Sequence, residues 1–129
     1  MYTSEATTKA IKVSVVSEYS PDRSRPQQQH WFFLYTITIE NTGDDTVQLM
    51  SRHWIITDDL GHVEEVKGPG VVGQQPVLRP GESFTYTSGC PLPTETGRME
   101  GTYQMLSTSG ESFDVRIAPF TLSTPYTVH

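Results

Sequence analysis

The chain is short of positive charge, almost without cysteine, free of long apolar runs and free of any stretch with helical spacing. Nine Lys and Arg face fifteen Asp and Glu, a net charge of −6 over 129 residues. A protein held on nucleic acid by backbone charge needs a basic face, so no nucleic-acid partner is expected. No apolar run is long enough for a membrane-spanning helix, so no membrane partner is expected either. The opening MYTSEATTKAIKV lacks the charged-then-apolar pattern of a secretory signal. A lone cysteine, Cys90, cannot form an internal disulfide, which fits a reducing compartment and predicts a cytoplasmic protein.

What the chain does contain is alternation. Ile11, Val13, Val15 and Tyr19 alternate with Lys12, Ser14 and Glu18, the period of a half-buried strand. Met1 to Lys9, polar and Thr-rich, reads as a loosely held tail. Ser20 to Gln29 has two prolines and no apolar residue and reads as a loop. His30 to Glu40 is the strongest β segment, with Trp31, Phe33, Tyr35, Ile37 and Ile39 on one face. Asn41 to Asp45 reads as a turn.

In Val47 to Thr57 the phase breaks: Val47 and Leu49 are odd, Met50, Trp54 and Ile56 even. A β-bulge near Ser51 to His53 reconciles the halves. His62 to Lys67 reads as a charged edge strand, Ser83 to Thr87 as a strand with Phe84 and Tyr86 inward, and Cys90 to Gly97 as a proline-broken loop. Met99 to Ser107 and Ser112 to Ile117 alternate again, and Ala118 to His129 is proline-punctuated and extended. Seven or eight short strands without a helix predict one all-β domain over residues 1–129, an antiparallel sandwich or small barrel. With one cysteine, the fibronectin type III-like form of an immunoglobulin-like sandwich fits best.

Gly68-x-Gly70-x-x-Gly73 matches the dinucleotide fingerprint as a string. That site needs a helix opening on the last glycine, and Gln74-Gln75-Pro76-Val77 starts none. Two readings remain for the segment. Glycine serves positive φ or close packing in a structural loop, or its amides form an anion-binding nest with Arg52, Arg79 or Arg98 alongside.

His53 reads as a hydrogen-bonded core or edge residue in preference to a ligand. His62, Glu64 and Glu65, with Asp58 and Asp59, form an acidic patch whose spacing matches neither a zinc site nor a calcium loop. At most it offers weak divalent-cation binding. Cys90, between Gly89 and Pro91, has no acid–base neighbours. No catalytic residue and no resident cofactor are expected.

The runs SRHWIITD, GPGVVGQQPVLRPGESFTYTSGCPLPTETGRMEGTYQM and IAPFTLSTP resemble the bacterial ApaG family, from about Ile11 to Pro125. The resemblance implies a fibronectin type III-like sandwich. Related domains in eukaryotic F-box and polymerase-delta-interacting proteins imply protein–protein contacts. It also implies a link to cobalt and magnesium resistance, a gene neighbour that hydrolyses diadenosine tetraphosphate, and a pyrophosphate role for Gly68, Gly70 and Gly73. Two functions follow as expectations. One is a non-enzymatic interaction module, monomeric or homodimeric, with an unknown protein partner. The other is a binder of pyrophosphate or a nucleoside polyphosphate at Gly68, Gly70 and Gly73 with Arg52 and Arg98.

Overall fold

Strands alternate side chains across a sheet, and the alternating segments of this chain form two sheets that bury one face each. In a computed structural model, residues 1–125 are described; of the extended C-terminal stretch, residues 126–129 lie outside them. In chain order the strands are β1 (Tyr2–Thr8), β2 (Ile11–Tyr19), β3 (Trp31–Asn41), β4 (Val47–Asp58), β5 (Val63–Pro69), the two-residue β6 (Val77–Leu78), β7 (Ser83–Leu92), β8 (Thr96–Ser107) and β9 (Ser112–Ser123). One sheet has the order β1-β2-β3-β7. The other has β5-β4-β8-β9, with β6 pairing β4. Every pairing between strands is antiparallel. The result is a fibronectin type III-like sandwich, and no helix among the described residues is long and apolar enough to cross a membrane.

The core lies between the sheets. Val13, Val15, Phe33, Ile37 and Ile39 from the first sheet meet Leu49, Met99, Tyr103, Val115 and Leu122 from the second, all fully buried. Trp54 sits at the centre of an aromatic cluster, edge-on to Tyr35, Tyr103 and Phe120 at 5.6, 6.4 and 5.9 Å between ring centroids. Such edge-to-face packing adds about 0.5–1.5 kcal/mol per pair beyond the area buried.

Four expectations are corrected. The N-terminal stretch is β1, laddered to β2 from Tyr2 opposite Ser17 to Thr8 opposite Ile11. It also leans on β9, where Ser4 Oγ donates to Ala118 O and Arg116 N–H to Thr8 Oγ1. Its side chains are too small and polar to announce this. β7 runs on through Cys90-Pro91-Leu92, because the missing N–H of Pro91 falls on the unpaired side of an edge strand. β9 continues to Ser123 past Pro119, which is absorbed where the register with β8 shifts between Met99 and Gly101. The bulge in β4 is at Met50, between the pairs Leu49–Met105 and Ser51–Gln104. That is one residue before the expected stretch, and it turns both Leu49 and Trp54 inward.

Candidate functional site

The glycine segment and β4 meet at the Met50 bulge. β5 and β6 pair with the same edge of β4 on either side of it, so residues 70–76 form a loop let into one interrupted edge strand. The Met50 carbonyl accepts the Gly70 N–H and the Gln75 side-chain amide, each at 2.9 Å, and Leu49 N–H reaches Pro76 O at 3.0 Å. At the tip, Val71 and Gln74 exchange both backbone hydrogen bonds, at 2.8 and 2.9 Å, around Val72 (φ 42°) and Gly73 (φ 79°). This is a two-residue type I′ turn with a β-branched residue where Asn or Gly is favoured. Gly70 has φ 60°, and a Cβ there would lie 2.3 Å from Gln74 O, so both the backbone and the space demand glycine.

Arg52 stands directly opposite Gly68 in the β4–β5 register. It shares the phase of Trp54, so its stem starts on the inner face and leaves over the glycine. Its Nη1 donates to Pro69 O and Gly70 O, both at 2.9 Å. Its charge also reaches Tyr35, Tyr86 and Tyr103. Behind it, the hydroxyls of Tyr86 and Tyr103 share a buried hydrogen bond of 2.5 Å across the sheets. Burial pushes both tyrosines up, so the hydroxyls stay protonated.

The structure thus brings Arg52, Gly68 and Gly70 together, with Gly73 at the far side of the same loop. Arg98 does not join them. It pairs with Thr57, five residues from Arg52 along β4, roughly 16 Å away at strand spacing, and the odd count turns it to the outer face. There Arg98 Nη2 approaches Glu100 at 3.7 Å. Arg79 follows β6, its N–H bonded to the Glu82 carboxylate at 2.8 Å.

Other candidates also move. His53 is half-buried on the outer face, with Glu65 Oε2 at 3.8 Å, and its buried Nε2 makes no hydrogen bond within the described residues, contrary to expectation. Asp58 is no patch residue: its side chain is only 6% exposed. Oδ1 accepts Leu60 N–H at 2.8 Å and His62 N–H at 3.0 Å, and Oδ2 meets His62 Nδ1 at 3.2 Å. Burial pushes this carboxyl up, but the two amides and the imidazole outweigh it and hold it below the usual range. No group of three His, Cys, Asp or Glu among the described residues is placed to hold a metal.

A feature that the strand pattern did not announce is the edge of β7. Asn41 N–H donates to Glu82 O, which sets the alternation of the β3–β7 ladder. Even-numbered residues of β7 bond to β3, and Ser83, Thr85, Thr87 and Gly89 turn their backbone groups outward. Ten residues long, SFTYTSGCPL carries no charge, whereas β1 has Glu5, β5 has Glu64, Glu65 and Lys67, and β9 has Asp114 and Arg116. Where β7 ends, a cavity of about 420 Å³ opens between it and the β4–β5 hairpin, lined by Ile56, Asp58, His62, Val63, Glu64, Pro91, Leu92 and Pro93.

Together these features define the class of the protein: a fibronectin type III-like β-sandwich with a clamped glycine loop and one uncharged edge strand. The chain belongs to the ApaG family: the ApaG domain matches residues 21–107. Protein ApaG of Rhodospirillum centenum is 54% identical over 119 residues, covering 92% of each chain. Protein ApaG of Bordetella pertussis is 55% identical over 119 residues, covering 92% of this chain and 91% of the relative. A crystal structure from Bordetella pertussis superposes with a TM-score of 0.88 at 55% identity, covering 91% of this chain and 95% of that one.

Proposed function

We propose that the chain is a non-enzymatic interaction module of the cytoplasm that engages a protein partner by strand addition to β7. The supporting observation is the edge itself. Its outward backbone groups at Ser83, Thr85, Thr87 and Gly89 lack the charged side chains with which proteins blunt such edges. An effect on cobalt or magnesium homeostasis, which the family resemblance implies, runs through that partner. The module is favoured over a pyrophosphate or nucleoside-polyphosphate binder because of the bonds in the glycine loop. Gly70, Val71 and Gln74 already donate their N–H groups within the protein, and Arg52 donates to Pro69 and Gly70 carbonyls.

Thr87→Pro tests the reading, since it removes an outward N–H from an edge strand, where proline is tolerated. Immobilised protein and variant are compared by mass spectrometry of what each retains from a bacterial lysate. Proteins retained by the first and lost by the second, at unchanged circular dichroism, support the module. Identical retention by both retires β7 as its interface.

A further inference from the structure

The uncharged edge of β7 and the cavity at its end form one continuous surface. On a strand added to β7, each side chain takes the direction of the β7 residue beside it. The residue opposite Cys90, whose own side chain is buried between the sheets, therefore turns inward beside the 420 Å³ cavity. Ile56, Pro91, Leu92 and Pro93 give that cavity apolar walls. Its charged lining residues are Glu64, exposed, and Asp58, whose carboxylate is taken up by Leu60 and His62; no Lys or Arg among the described residues lines it. Glu64 is near enough to help raise the Cys90 thiol, which places its charge beside the inward position.

We propose that the partner segment is extended and basic, and that it lays the stem of one Lys or Arg along Ile56 and Leu92 with its charged head at the exposed Glu64 carboxylate. The apolar walls suit the methylenes and the Glu64 carboxylate suits the head, the division that long cationic side chains require. The chain's net charge of −6 draws a cationic segment toward this surface from a distance. The proposal rests on the strand-addition reading above and adds the chemistry of the partner.

The probes are three acetylated, amidated nine-residue peptides of alternating threonine and valine whose central residue is lysine, norleucine or glutamate. Each is titrated into uniformly ¹⁵N-labelled protein and read by amide shifts. The lysine peptide is expected to move the Thr85, Thr87 and Gly89 amides together with Glu64. Its affinity is expected to exceed that of the glutamate peptide by roughly 3–10-fold, and Glu64→Gln should close most of that gap. Equal affinity of all three at β7 overturns the basic partner and leaves strand addition standing. Norleucine binding as well as lysine overturns the charge contact alone. No β7 shift with any peptide overturns both readings. Shifts at β7 that follow protein concentration, with a doubled mass in sedimentation, overturn the basic segment in favour of a second copy of the chain.

Discussion

The guanidinium of Arg52 covers Gly68 face-on: a Cβ built at Gly68 would lie 3.1 Å from both Nη atoms and 3.2 Å from Cζ. The glycine therefore acts as the floor on which the arginine rests while it bonds to the next two carbonyls. The contact predicts energetic coupling between the two residues. Arg52→Ala removes two charge-assisted hydrogen bonds at a partly exposed site and is expected to cost about 1–2 kcal/mol. Gly68→Ala should cost less, because the atoms it meets are the movable end of a side chain. In the Arg52→Ala background the cost of Gly68→Ala should shrink toward zero, which urea unfolding of the four proteins measures directly. Additive costs would show that the guanidinium does not rest there.

Val72, 54% exposed, holds φ 42° at a type I′ turn position that resists β-branched residues. Val72→Asn is expected to stabilise the protein by about 1 kcal/mol, raising the melting temperature by roughly 4 °C. Gly70→Ala, against the Gln74 carbonyl at 2.3 Å, should destabilise by about 2 kcal/mol or more. Calorimetry of the pair gives opposite signs if the loop has the described backbone.

The Tyr86–Tyr103 hydroxyl pair predicts non-additivity of a particular kind. Either Tyr→Phe change leaves one buried hydroxyl without its partner and should cost about 1–3 kcal/mol. Replacing both removes the orphan, so the double variant should be no less stable than the worse single one. Thermal melts of the three variants decide it.

Asp58 sets an acid limit. Its folded pKa lies below the unfolded value of about 3.9, so the unfolded state binds more protons between the two. Its contribution is present above about pH 4 and is lost as pH falls through the lowered folded value. Urea midpoints measured from pH 5 to pH 2 should fall less steeply in Asp58→Asn than in the parent.

Cys90 is buried, and that burial, with the charge of Glu64, pushes its thiol up to about 12. Thiolate is the reactive form, so alkylation by iodoacetamide at pH 8 should be slower in the native protein than in urea by on the order of a thousandfold. Comparable rates would place Cys90 at the surface.

Much of the scaffold was legible because its apolar residues alternate. The phase break in β4 located a bulge to within one residue, since only an extra residue turns both Leu49 and Trp54 inward. β1 was not legible: its half-buried positions are Ser4, Ala6 and Thr8, and backbone bonds to β2 hold it more than side-chain burial does. Prolines misled twice, at Pro91 and Pro119, because sequence does not show whether a missing N–H falls on a ladder, an edge or a bulge. At the candidate site, Arg52 and the glycines share a neighbourhood as their closeness in sequence suggests. Arg98 does not, because strand parity sends it to the other face. The charge-free edge of β7 was written in the sequence as SFTYTSGCPL, but its meaning depends on which strands end up outermost, and only topology settles that.

The seam between β1 and β9 sets the order of events in time. Its hydrogen bonds join residues 114 and 108 positions apart, so making it before the rest of the sandwich would mean closing a loop of nearly the whole chain for a few contacts. Closure late in folding is the expected outcome, and φ-values near zero for substitutions at Ser4 and Thr8 would bear it out. By the same reasoning, amides of β1 are expected to exchange with solvent sooner than those of β3 and β4.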